Sequence, residues 1–177
     1  VCAGGRGGEV DYRRMSGGCR KAYGQSLFRR KDQQRYDAYL QECREAAARG
    51  DKKGPKVHTG GVLPHDITAA AESGDAAADL QWHELVKGVA ASRRAGGCLS
   101  GMVPVCDVSG SMSGEPMEVA IALSLLLAES AAVGDPLRGK MFTFDSQPQL
   151  VEVPCLPDHE GGEVPVGGLK ERVEFTR

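Results

Sequence analysis

The order of patterns between Cys98 and Asp145 constrains this chain more than any other feature. An apolar run from Cys98 to Cys106 predicts a buried strand. Asp107-Val108-Ser109-Gly110-Ser111 follows as a turn, and Pro116 opens a helix predicted to reach Ala132. Pro sits in the first helical turn, where its missing N–H removes no bond. Small and apolar residues run almost all round this helix, as in a helix packed into an α/β layer. Lys140 to Asp145 then alternates as a second strand, and Gln149 to Val153 reads as a short third strand at an edge. Strand, turn, long helix, strand begins an α/β fold with parallel neighbours. Ligands in such folds sit at the carboxyl ends of the strands, where Asp107 falls.

The first half is helical in pattern. Residues 1–16 are rich in Gly and Arg and are expected to be poorly ordered. Cys19 to Arg30 predicts a short helix. Asp32 reads as the N-cap of the next one, with Tyr36, Tyr39, Leu40 and Cys43 spaced as one buried stripe and Gly50 at its end. Pro64, His65 and Asp66 introduce a short helix to Ala71. Ala76 to Ser92 predicts another, with Trp82, Leu85, Val86 and Val89 on one face and Gly88 weakening it. Gly96-Gly97 is the candidate domain boundary, giving a helical region at 17–97 and an α/β region at 98–177. Leu169 to Phe175 fits either helix or strand.

Charge is divided unevenly along the 177 residues. Residues 1–56 carry 14 Lys/Arg against 7 Asp/Glu, and the remainder 8 against 17. A basic half offers a surface for RNA or an acidic partner; a solvated helix face explains the same charges, because no aromatic stacking platform is interleaved with them. The six cysteines show no C-x-x-C spacing and no His pattern completing a zinc site. They read as reduced thiols of an intracellular, cytoplasmic protein. The longest apolar run, Val119 to Leu127, is far short of the ~20 residues that span a bilayer, so no membrane partner is expected. The chain opens at Val1 and stops at Arg177, and we read it as a fragment of a longer protein.

Asp107, Ser109 and Ser111 carry the clearest chemistry. Residues two apart in an extended turn point to one side, and Gly110 lets the backbone bend between them. One carboxylate and two hydroxyls suit a hard cation such as Mg²⁺, which takes oxygen ligands and keeps several waters. The two hydroxyls would coordinate directly, and Asp107 would coordinate or hold a metal-bound water. The competing reading is a Ser/Gly turn whose Asp107 and Ser109 cap the helix. Other chemistries fit less well. A phosphate-cradling loop needs Gly-Lys-Ser/Thr, and no Lys follows Gly114. Gly110-Ser111-Met112-Ser113-Gly114 places Met where a serine hydrolase has its nucleophile. None of His58, His65, His83 or His159 is linked by a motif to Ser111.

The run Cys106 to Met112 resembles the start of a von Willebrand factor A-like (vWA) domain with its metal-ion-dependent adhesion site. With Val57 to Ile67, Leu80-Gln81-Trp82, Val105 to Met117, Phe142-Thr143-Phe144 and Pro148-Gln149-Leu150, the chain resembles an uncharacterised family abundant in plants. Members of that family join a helical region to a C-terminal vWA-like domain. The architecture is loosely similar to TROVE proteins of the Ro type, where a helical ring binds RNA beside a vWA domain. The resemblance implies a Rossmann-like, doubly wound vWA fold, present here as its first half. It also implies Asp107, Ser109 and Ser111 as the first metal motif, with the later Thr and Asp beyond Arg177. Pro104 departs from the family in the strand that presents the motif. Asp145 stands where the family tends to have Ser, at a strand end that could approach the site.

These readings lead to an expected function: a non-enzymatic interaction module whose Mg²⁺ site engages an acidic side chain of a protein partner. The alternative is RNA binding by the basic helical region. A hydrolase or phosphotransferase lacks a placed general base.

Overall fold

A computed structural model describes residues 10–94, 101–131, 135–153 and 168–176. The basic half forms α1 (Gly17–Tyr23), a π turn (Gly24–Phe28), α2 (Arg29–Lys31) and α3 (Gln33–Ala48). The predicted stripe is the buried one: Tyr36, Tyr39, Leu40 and Cys43 all face inward. Gly50 closes the helix at φ +64°, a conformation that favours glycine. Asp32 stands at the N-cap but does not cap. Its carboxylate instead accepts from Tyr12 Oη and Arg35 Nη1, both at 2.8 Å. Tyr12 lies in the stretch expected to be poorly ordered, yet it is buried. Its ring packs edge-on against Phe28 at 5.4 Å and stacks on Tyr39 at 5.8 Å. Four aromatic rings thus form a small core that composition alone did not foretell.

Two further helices follow, α4 (Pro64–Glu72) and α5 (Ala78–Arg94). Asp66 Oδ2 accepts from Leu63 N at 3.2 Å and caps α4, while Asp75 Oδ1 accepts from Ala77 N and delays the start of α5 by two residues. The α/β part contains β1 (Val105–Asp107), α6 (Glu115–Glu129), β2 (Lys140–Phe144), β3 (Gln149–Glu152) and α7 (Leu169–Thr176). The segment 169–176 resolves to helix because Leu169, Arg172, Val173 and Thr176 share one buried face.

The sheet order is β1-β2-β3, with β1 parallel and β3 antiparallel to β2. The parallel pair and the edge position of β3 match expectation. Among the described residues the first strand starts only at Val105, because Gly101 turns at φ +74° and Pro104 has no N–H to give, while residues 98–100 of the predicted strand lie outside the described residues. Pro104 does not disrupt the ladder. It precedes β1, and its carbonyl accepts from Phe142 N at 2.9 Å. Cys106 and Met141, both 0% exposed, lie on the covered face of the sheet and share a core with Ile67 of α4, Trp82 of α5, Leu125 of α6 and Val173 of α7. Side chains from before and after Gly96-Gly97 therefore bury one another, while that dipeptide itself lies outside the described residues. The opposite face, with Val105, Phe142 and Leu150 in register, is exposed. The fold is thus α/β with one covered sheet face among the described residues.

Candidate metal centre

The turn that ends β1 is built by backbone bonds before any side chain acts. Val108 N donates to Phe144 O at 3.0 Å, which extends the parallel ladder one residue past Asp107. A 3-10 turn, Gly110–Met112, follows, closed by Met112 N donating to Ser109 O at 2.9 Å. Gly114 then adopts φ +89°, where a side chain would be strained, and starts α6 by accepting from Met117 N and Glu118 N. Strand, tight turn and helix start are thereby packed into ten residues.

The three oxygen-bearing side chains come together. Asp107 Oδ1 accepts from Ser109 N at 2.9 Å, and the Ser109 and Ser111 hydroxyls lie 2.9 Å apart. Bonds from the Ser109 hydroxyl and then the Ser109 N–H hold the Asp107 carboxyl below the usual carboxylate range, so it is ionised at neutral pH. The set is half-exposed and reachable from solvent. One ionised carboxylate and two adjoining hydroxyls are hard oxygen donors, the type that a Mg²⁺ ion takes. The same bonds also suit a Ser/Gly turn, although neither Asp107 nor Ser109 caps α6, whose N-cap is Gly114 without a side-chain bond.

The first turn of α6 adds Glu115 and Glu118. Asp145 follows β2, but its Oδ1 accepts from Gln147 N at 2.7 Å and shapes the β2–β3 turn. Among the described residues no group of three or more His, Cys, Asp and Glu side chains could hold a metal ion. His58 Nε2 contacts Arg13 O at 3.1 Å, and His65 lies 4.0 Å from Asp66, so both are engaged away from Ser111. Cys19, Cys43 and Cys106 are free thiols. Burial pushes the Cys106 thiol up, which suits packing and not nucleophilic chemistry.

Residues 101–160, which include the whole turn, match a domain of unknown function, DUF7788. An uncharacterized protein of Acanthamoeba polyphaga mimivirus is 35% identical over 139 residues, covering 72% of this chain and 22% of the relative. The chain therefore spans only 22% of the length of the curated relative it matches. No solved structure matches the chain. Neither similarity names a vWA or TROVE domain. Among the described residues no helix is long and apolar enough to cross a membrane.

Proposed function

We propose that this chain carries the first part of a vWA-like interaction module, in which Asp107, Ser109 and Ser111 hold Mg²⁺ and the metal engages an acidic side chain of a protein partner. The observation that supports this reading is the convergence of one ionised carboxylate and two hydroxyls at the carboxyl end of a parallel strand. The adjoining start of α6 favours an anionic group completing the coordination shell. Calorimetric titration with Mg²⁺ tests it. A saturable heat is expected for the native protein and none for Asp107→Ala. Equal heats from the two proteins sink the metal assignment.

A second reading draws on the basic half. Several of its cations are spent internally: Arg13 pairs with Glu42, Arg20 with Asp75, and Lys21 with Asp66. Arg29, Arg30 and Lys31 remain exposed on consecutive positions and form a short basic edge that RNA phosphates fit. RNA retention by this edge should fall steeply between low and moderate salt and weaken in the Arg29→Gln/Arg30→Gln/Lys31→Gln variant. Retention indifferent to both removes the RNA reading.

A further inference from the structure

A cavity of about 400 Å³ lies among α3, α5 and the loop from Asp51 to Gly60, elements that contribute nothing to the Asp107 turn. Its loop wall is fixed from behind. Tyr39 Oη donates to Lys56 O at 3.0 Å, Gln81 Nε2 to His58 O at 3.2 Å, and Gly18 N to Gly60 O at 3.2 Å. Gly17 backs the same wall so closely that a Cβ there would sit 2.7 Å from His58 O. A wall held this way is formed before any ligand arrives, which lowers the ordering cost of binding.

The cavity's charges do not cancel. Lys52, Lys56 and Lys87 line it, against Asp51 and Glu84. Glu84 lies 3.7 Å from Lys87 Nζ and pairs with it, whereas Asp51 Oδ1 accepts from Lys53 N at 2.9 Å and keeps its charge, so the lining carries an excess of one positive charge. Lys52 and Lys56 have no ion-pair partner among the described residues. The Cys43 thiol also lines the cavity. Burial pushes it up to about 11, so little of it is thiolate at neutral pH.

Gly88 is an independent sign of what the cavity is for. It interrupts the middle of α5, where glycine weakens a helix relative to alanine. Its backbone is not in the left-handed region, and a Cβ there would meet no atom within 4 Å. Packing therefore does not require glycine at this position. Gly88 lines the cavity at an exposed position, where a larger side chain would have open space to occupy.

We propose that this cavity binds a small phosphate-bearing molecule, with Lys52 and Lys56 facing the phosphate and Gly88 keeping the floor clear. Two unpaired ammonium groups on one loop match the double charge of a phosphomonoester better than a single carboxylate. The volume lies within the range of sites for small ligands, up to a mononucleotide.

The test is titration of the full-length protein with inorganic phosphate, pyrophosphate and 5′-AMP, followed by calorimetry and backbone amide shifts. At least one of the three should bind saturably, with shifts centred on residues 52–60 and 84–91. Lys52→Gln/Lys56→Gln should weaken binding about tenfold. Gly88→Leu should abolish it while the thermal midpoint stays at or above that of the native protein. If Gly88→Leu proves unstable, Gly88→Ala and the lysine variant still decide the matter. The proposal is overturned if none of the three probes binds saturably, if binding is unchanged in the lysine variant, or if only an RNA oligonucleotide binds.

Discussion

Glu129→Ala is expected to destabilise the fold by about 3–5 kcal/mol, the usual cost of breaking a buried ion pair from one side. Glu129 ends α6 with its side chain 9% exposed. Its Oε2 accepts from Trp82 Nε1 at 2.9 Å, and its Oε1 lies 3.1 Å from Arg172 Nε. One carboxylate thereby ties α5, α6 and α7 together. Burial pushes the Glu129 carboxyl up, while the Arg172 charge and the Trp82 bond oppose that shift. The arginine has few alternatives to this ion pair, since its Nε and Nη1 are buried with no hydrogen-bond partner among the described residues. Truncating Glu129 leaves a guanidinium in the core with no other ion-pair partner among the described residues. Urea unfolding reads the loss directly. Glu129→Leu/Arg172→Leu should recover much of it, because an apolar replacement of both partners is often nearly neutral. A loss below about 1 kcal/mol in Glu129→Ala would show that apolar contacts alone hold α7.

The 177-residue chain by itself should self-associate as its concentration rises. Val105 is 67% exposed, Phe142 43% and Leu150 53%, and the register places them in one row across the three strands. Phe144, 54% exposed, adjoins the row, and among the described residues β1 has one unpaired edge. An unpaired edge beside an apolar face is a template for further strands. Sedimentation velocity should show concentration-dependent species, reduced by Phe142→Thr/Leu150→Lys. A monomer at high concentration with a sharp cooperative melt would refute the expectation.

Local patterns proved legible where one physical rule dominated. The stripe from Tyr36 to Cys43 was readable because helical spacing alone decides which side is buried. The parallel β1–β2 pair was readable because a fifteen-residue helix between two strands leaves few other connections. The Asp107 turn was readable because alternate residues, a flexible glycine and a following helix start converge by local geometry. Other features escaped for an equally physical reason. Tyr12 looked like part of a loose Gly/Arg tail, yet three rings from distant positions bury it. Gly88 looked like a flaw in a helix, and only the cavity beside it gives the residue a role.

The sequence by itself determined the succession of helices and strands as far as β3, the buried stripe of α3 and the oxygen set at Asp107, Ser109 and Ser111. Each depends on contacts within a few residues, where spacing and backbone preference are sufficient. Only the tertiary structure decided that α4 and α5 share a core with the sheet, that Glu129 meets Trp82 and Arg172, and that Lys52, Lys56 and Gly88 border one cavity. Those meetings join residues tens of positions apart, and no local periodicity encodes which distant faces will bury each other.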